Sequence, residues 1–328
     1  MAAASISDID VNGVTLRVHQ AGVPSDPMVV LCHGFPELAY SWRHQMAPLA
    51  AAGFHVIAPN LRGYGHSSAP REIGAYGIGD LTGDLLALVD HFGKDDAVFV
   101  GHDWGALIVW DLARLHPQRT RAVVGVSVPF VQWPAPPTQL MNRLYGDRFF
   151  YILYFQKPGV AEAELDADAH DSMAKILWSA GGTGFAARDR SRPPPPMEGT
   201  GFLTMMAEPP PRPFVGPEGP WLTEDDLKVY ADEFAHSGFF GPVSFYRNLD
   251  ANFEVVNGLG PERLTMPAYF IGGTLDVVNV MDPSGIERMR GLLPDFRGST
   301  VLDGVGHWTQ QEAPTAFNDA LLGFLRSL

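Results

Sequence analysis

One aspartate in this 328-residue chain has neighbours typical of a nucleophile at a sharp turn. Asp103 lies between Gly101 and Gly105, after a short apolar run at 97–100 and before an apolar run at 106–115. The first run is typical of a buried strand and the second of a buried helix. Strand, glycine-flanked turn and helix in this order expose the central side chain at the end of a sheet. We therefore predict that Asp103 is a nucleophile, although aspartate also favours a simple helix N-cap.

A carboxylate nucleophile implies a particular chemistry. Aspartate is already ionised at neutral pH, because its ordinary pKa is about 3.9. It can attack an sp3 carbon, displace a leaving group and become an ester of the enzyme. Release of that ester needs an activated water, and hence a histidine oriented by an acid. The sequence thus predicts alkyl transfer to Asp103 followed by hydrolysis.

The expected acid and histidine occur in the expected order along the chain. Asp276 directly follows a predicted late strand, and His307 lies in a glycine-containing loop after the last predicted strand. The strand that ends at Val128 is an alternative place for the acid, but no carboxylate follows it. Asp282 lies further on, and we expect it to be a helix N-cap. We predict the triad Asp103, Asp276 and His307.

The backbone around these residues is expected to stabilise negative charge. His33-Gly34-Phe35-Pro36 follows an early predicted strand, where an oxyanion-hole amide is expected. The amides of Phe35 and Trp104 are therefore the predicted oxyanion hole. The histidines and carboxylates lack metal-ligand spacing, and no dinucleotide or phosphate-binding glycine motif occurs. We predict neither a metal nor a cofactor, and we expect the single cysteine, Cys32, to be a small buried hydrophobe.

Strands and helices alternate along most of the chain, which predicts an α/β fold with a mostly parallel, doubly wound sheet. Asn12-Gly13 predicts a tight hairpin turn within residues 9–20. Proline clusters and aromatic patches interrupt the alternation after residue 133, which predicts a helical lid. We expect two core segments, 1–133 and 250–328, and a lid at 134–249. Further strands are expected at 28–31, 54–58, 121–128, 268–271 and 300–302, and helices at 41–52, 79–92, 282–293 and the C-terminus.

The bulk composition restricts the possible partners. The formal net charge is −14 and the pI is near 5.1, which disfavour nucleic acid and anionic membrane surfaces. The first five residues lack a basic, apolar leader, and no apolar run reaches 18 residues. We expect a cytoplasmic protein without a membrane span, either a monomer or a homodimer.

The chain resembles the epoxide hydrolases of the α/β-hydrolase fold over nearly its whole length. The resemblance implies that two lid tyrosines, Tyr151 and Tyr246, donate hydrogen bonds to the epoxide oxygen, with Tyr154 as a rival donor. The matching motifs are HGFPE at 33–37, SWRHQ at 41–45, RGYG at 62–65, GHDWG at 101–105, SVPF at 127–130, YFQKPGVAEAEL at 154–165, FYRN at 245–248 and GHWTQQEAP at 306–314.

The resemblance also implies a reaction and its partners. An epoxide and water are the expected substrates, and a vicinal diol is the expected product. One tyrosine would protonate the ring oxygen, and His307 with Asp276 would activate the water. Residues expected to contact the substrate are Phe35, Trp104, Tyr154, Phe155, Val277 and Trp308.

Two alternatives remain open. Haloalkane dehalogenases share the aspartate turn but need N–H donors for a halide, and the lid residue Trp178 could supply a second indole. Many of them have asparagine at the position of Phe35, and fluoroacetate dehalogenases tend to have arginine at that of Trp104. A ligand-binding protein without catalysis is the other alternative, because a fold does not determine a function.

Overall fold

The computed structural model describes residues 5–189 and 193–328. The predicted lack of a leader therefore concerns residues that lie mostly outside the described part of the chain. Eight strands form one sheet in the order β1-β2-β4-β3-β5-β6-β9-β10. Only β1 with β2 and β2 with β4 pair antiparallel; the other neighbours are parallel. The strands are β1 (Ser5–Val11), β2 (Val14–Ala21), β3 (Met28–Cys32), β4 (His55–Pro59), β5 (Ala97–His102), β6 (Thr120–Val126), β9 (Ala268–Gly273) and β10 (Phe296–Leu302).

Helices cover both faces of the sheet, so its central strands are apolar on both sides. Val29 and Leu31 of β3 pack with α1 and α15 on one face, whereas Val30 and Cys32 belong to the core on the other face, with α2 and α3. Cys32 is fully buried, and burial raises the pKa of its thiol above the ordinary value. The helices outside the lid are α1 (Arg43–Ala51), α2 (Ile78–His91), α3 (Trp104–Leu115), α12 (Val277–Met281), α13 (Gly285–Leu292), α14 (Thr309–Glu312) and α15 (Pro314–Leu325).

The chain between β6 and β9 folds mainly into helices and a small hairpin. The predicted boundary after residue 249 falls in the first turn of α11, so the division at 134 and 249 stays a prediction. These elements are α4 (Pro137–Tyr145), α5 (Tyr151–Tyr154), α6 (Val160–Leu165), α7 (Ala169–Ala180), α8 (Gly182–Ala187), β7 (Phe214–Gly216), β8 (Gly219–Leu222), α9 (Glu224–Ser237), α10 (Phe240–Arg247) and α11 (Leu249–Val256). We call residues 134–249 the lid.

The structure confirms the predicted hairpin and corrects one helix cap. Asn12 and Gly13 have φ values of 46° and 77°, the left-handed pair that a tight hairpin turn requires. The helix expected near 282–293 is α13, from Gly285 to Leu292, and the separate short helix α12 precedes it. The expectation that Asp282 is an N-cap is wrong: it ends α12, and its carboxylate pairs with Arg288. None of the helices in the described ranges is both long and apolar enough to cross a membrane.

Candidate active site

Asp103 occupies a strained turn between β5 and α3. Its φ and ψ are 53° and −117°, which a residue with a side chain rarely adopts. The turn needs small neighbours: a Cβ added to Gly105 would lie 2.0 Å from the carbonyl oxygen of Cys32. The strained backbone directs the Asp103 side chain away from the helix, and that side chain caps no backbone N–H of α3. The N-cap alternative for Asp103 therefore has no support in its hydrogen bonds.

The two carboxylate oxygens of Asp103 have different partners. The Phe35 amide donates to Oδ1 at 2.8 Å, whereas Oδ2 lies 3.4 Å from Nε2 of His307. Burial opposes ionisation of this carboxyl, but His307 and the Phe35 amide outweigh burial and hold its pKa below the ordinary range. Trp104 is the first residue of α3, so its N–H has no acceptor within the helix. The predicted nucleophile is thus an ionised carboxylate with the Phe35 amide as a donor to it.

His307 lies between two carboxylates. Its Nδ1 is 3.0 Å from Oδ1 of Asp276, which follows β9, and its Nε2 faces Asp103. Burial alone would lower the pKa of His307, yet Asp276 and Asp103 together raise it well above 6.5. The Val278 amide donates to the same Asp276 oxygen at 2.9 Å, which fixes the acid at the start of α12. The structure therefore brings the three predicted triad residues together.

Tyr151 and Tyr246 approach each other from two lid helices, α5 and α10. Their ring centroids are 5.7 Å apart at an interplanar angle of 78°. Tyr246 also packs edge-on against Phe35 at 5.3 Å and Trp104 at 5.0 Å. Burial, and then the negative charge of Asp103, raise the pKa of both phenols. Both hydroxyls consequently stay protonated and able to donate.

One cavity of about 150 Å³ is lined by Asp103, His307 and both tyrosines. Tyr154, one of the predicted contact residues, lies elsewhere, because its hydroxyl donates to Glu164 at 2.7 Å. Phe155 and the Trp104 ring pack behind Tyr246 and do not line the cavity wall. The lining residues are Phe35, Asp103, Tyr151, Ile176, Ser179, Ala180, Phe185, Arg188, Phe202, Met206, Tyr246, Val277, Val278, His307 and Trp308.

A buried polar network supports the triad from below, and the sequence analysis did not find it. His102 Nδ1 lies 2.5 Å from Glu37, and its Nε2 lies 2.7 Å from the carbonyl oxygen of His307. Gln310 and Gln311 donate to the same Glu37 carboxylate. The network links the segments before and after the nucleophile to the histidine loop. The only sequence signal was the position of His102 beside Asp103.

The lid holds the histidine loop directly. The His307 amide donates to the carbonyl of Ala180 at 3.0 Å, and the Trp308 indole donates to that of Leu177 at 2.7 Å. The buried Glu312 carboxylate accepts N–H groups of Gly182 in α8 and of Trp308. The position of the His307 loop therefore depends on these hydrogen bonds to the lid.

The order of these elements defines the class of protein. A mostly parallel sheet with Asp103 after β5, Asp276 after β9 and His307 after β10 has the order of an α/β-hydrolase fold. The family model described as alpha/beta hydrolase fold matches residues 27–160.

Several known proteins are similar over almost the whole chain. Epoxide hydrolase A of Mycobacterium tuberculosis is 44% identical, covering 98% of this chain and 97% of that protein. Bifunctional epoxide hydrolase 2 of Sus scrofa is 36% identical, over 95% of this chain and 54% of that protein. The crystal structure of Epoxide Hydrolase A from Mycobacterium thermoresistibile has a TM-score of 0.90 and 46% identity, covering 99% and 98% of the two chains. The chain belongs to the epoxide hydrolase family, and it is a hydrolase.

Proposed function

We propose that this enzyme converts an epoxide and water into a vicinal diol through a covalent ester on Asp103. The observation that supports this most strongly is the content of one cavity: the ionised Asp103 and the two protonated phenols of Tyr151 and Tyr246. An epoxide presents an electrophilic carbon and, on the adjacent atom, an oxygen that gains negative charge as the ring opens. A nucleophile and two O–H donors at one cavity wall match both needs.

Ring opening uses the free carboxylate oxygen. Oδ1 of Asp103 is engaged by the Phe35 amide, so Oδ2 has the lone pair available for attack. A bond forms between Oδ2 and the epoxide carbon while the bond from that carbon to the ring oxygen breaks. Tyr151 or Tyr246 gives its proton to the ring oxygen, and the other phenol donates a hydrogen bond. The product is a hydroxyalkyl ester and one tyrosinate.

Esterification changes the charge around His307. In the free enzyme two carboxylates raise its pKa, and the ester removes the charge of Asp103, leaving only that of Asp276. The pKa of His307 therefore falls when the ester forms, and the imidazolium proton can return to the tyrosinate. The neutral imidazole is then the base that the second step requires.

Hydrolysis regenerates the enzyme. His307 takes a proton from water, and the hydroxide adds to the carboxyl carbon of Asp103. The Phe35 amide already donates to Oδ1, the oxygen that becomes negative, and we assign the Trp104 amide as the second donor to it. Collapse expels the alkoxide, which receives the proton from His307, and the diol leaves. The Asp103 carboxyl then returns its remaining proton to His307, so the sum of both steps is epoxide plus water to diol.

A dehalogenase would need halide donors in the same cavity. The candidate donor Trp178 packs against Phe214, with ring centroids 5.1 Å apart, and does not line the cavity. The groups that do face Asp103 across the cavity are phenols, which suit an oxygen that must receive a proton. The geometry thus favours the epoxide over the haloalkane.

Product analysis tests the proposal. Purified enzyme is incubated with styrene oxide in one reaction and 1-bromobutane in another, and Asp103→Asn protein serves as the control. We expect diol in the first reaction, no bromide in the second, and neither product with the variant. Bromide without diol would assign the same triad to dehalogenation, and diol formed equally by the variant would remove Asp103 from the mechanism.

A further inference from the structure

The cavity wall contains one cation that the mechanism does not use. Arg188 follows α8 and is half-buried, and it lines the same cavity as Asp103 and the two tyrosines. Apart from the catalytic groups, its neighbours on that wall are mostly apolar, among them Ile176, Phe185 and Phe202. Among the residues that the structure describes, the cavity therefore combines an apolar lining with one guanidinium.

The Arg188 side chain has no partner of opposite charge in the described part of the chain. Within residues 5–189 and 193–328, no carboxylate lies within ion-pair distance of it and no acceptor receives a hydrogen bond from its guanidinium. Two other enclosed arginines have acidic partners: Arg62 pairs with Asp84 at 2.6 Å, and Arg247 with Glu162 at 2.6 Å. Arg188 thus differs from the arginines that only hold the fold together.

Burial without a partner is costly for a guanidinium. Burial is the sole cause that lowers the pKa of Arg188, with no opposing contribution from an acid. Loss of hydration without a counter-charge is unfavourable, and an anion brought into the cavity would relieve it. Since the guanidinium presents two parallel N–H donors, a carboxylate is the anion that fits it best.

A helix-capping role does not account for the side chain. Arginine at the end of a helix often donates to the last carbonyls. Only the backbone N–H of Arg188 does so, to the carbonyl of Phe185 at 3.2 Å. The opposite end of α8 is fixed, because the Gly182 amide donates to the buried Glu312. The arginine therefore stands at a defined place relative to the histidine loop.

From this arrangement we infer that Arg188 is a specificity-determining residue that binds a carboxylate of the substrate, while the oxirane lies at Asp103. The inference rests on the proposed epoxide hydrolysis. No ion pair joins Arg188 to Asp103, so the two groups hold different parts of one molecule. The preferred substrate is accordingly an epoxide with an apolar chain and a carboxylate at its far end.

The test compares an acid with its neutral amide. The probes are 7,8-epoxyoctanoic acid and 7,8-epoxyoctanamide, assayed with wild type, Arg188→Met and Arg188→Lys. A hydrogen-bonded charge pair contributes roughly 10- to 100-fold in affinity, so Arg188→Met should lower kcat/KM for the acid by about that factor. The loss should appear in KM with kcat little changed, because the contact is present in ground and transition states alike. The amide should be unaffected, and Arg188→Lys should retain part of the acid activity.

Arg143→Met is the matched control. Arg143 is an exposed lid arginine in α4 that does not line the cavity, so its replacement removes the same charge from the lid. It should leave the ratio of acid to amide activity at the wild-type value. An equal fall for acid and amide in Arg188→Met, or the same change of ratio in Arg143→Met, would overturn the inference.

Binding without turnover separates this inference from the proposed function. Calorimetry with octanoate and octanamide measures the Arg188 contact even if no epoxide is opened. Wild type should bind octanoate more tightly, and Arg188→Met should lose about tenfold for octanoate alone. No diol with intact discrimination would refute the proposed function only. Equal binding of both ligands by wild type would refute the role of Arg188 only.

Discussion

Replacing His307 with glutamine should stop the reaction at the ester. Ring opening needs an ionised Asp103 and phenol donors, and neither depends on His307 as a base. Hydrolysis does need it, and general base catalysis contributes about 10²–10⁴-fold, or about 3–5.5 kcal/mol of barrier. Water lacking a base should therefore attack the ester that much more slowly.

The structure also limits the effect on the first step. His307 helps to hold the pKa of Asp103 low, and its Nε2 lies 3.4 Å from the carboxylate. A neutral glutamine cannot counteract the effect of burial on Asp103 as His307 does, so the pKa of Asp103 should rise. The assay is run at pH 8, far above the ordinary pKa of an aspartate, to keep the carboxylate ionised despite this rise. Ring opening should then exceed hydrolysis, and nearly all of the enzyme should accumulate as ester.

Intact-protein mass spectrometry after mixing with styrene oxide measures this directly. His307→Gln should gain the mass of one substrate molecule, located by peptide mapping on the segment that contains Asp103. His91→Gln is the control, since His91 is exposed at the end of α2 and does not line the cavity. Turnover of His307→Gln at the wild-type rate, or slow diol formation without any adduct, would refute the covalent path.

Four further outcomes follow from the same geometry. Asp103→Asn should have no detectable turnover in freshly purified protein with a native circular dichroism spectrum, because the amide is a poor nucleophile; wild-type rates would contradict the assignment. Tyr151→Phe combined with Tyr246→Phe should slow single-turnover ring opening by about 10²–10⁴-fold, far more than either change alone, whereas an unchanged rate would place the proton donor elsewhere. Gly34→Ala would put a Cβ 2.4 Å from Cβ of Asp103, so the carboxylate must shift, and kcat should fall by about 10²-fold for a 1 Å displacement, checked by steady-state kinetics. Because folding raises the pKa of His307 above 6.5, its contribution to the free energy of unfolding is complete below pH 6.5 and is lost as pH rises through the folded value; urea titrations should therefore show wild type losing its advantage over His307→Gln on the alkaline side.

The core of the fold was predictable because its determinants are local. The run 97–100 is apolar and β-branched, and the structure has β5 there from Ala97 to His102. Alternate residues of β3 serve the two faces of the sheet, which a short apolar run between turn residues indicates. The helix expected near 282–293 is present as α13, whereas α12 was not predicted because its five residues are too few to show an amphipathic pattern. Asp282 was assigned by its type alone, and its partner Arg288 lies within the next helix.

The predicted triad residues are brought together for the same local reason. Each follows a strand of one sheet, and parallel strands end at one edge. The lid was less predictable from the sequence, because its elements are short and its contacts join residues that are distant in sequence. Tyr154 and Phe155 lie in a matching motif, but only a three-dimensional packing pattern turns Tyr154 towards Glu164 instead of the cavity.

Arg188 shows the limit of sequence reasoning most clearly. Nothing in its neighbours marks it, since an arginine after a short helix is ordinarily a solvated or capping residue. The role that we infer for Arg188 depends on the absence of an acidic partner. Within the described residues no carboxylate approaches its guanidinium, although Asp103 lines the same cavity. Two opposite charges held apart across an apolar space both remain available to a ligand. The carboxylate of Asp103 determines the reaction, and the guanidinium of Arg188 determines which substrate is bound for that reaction.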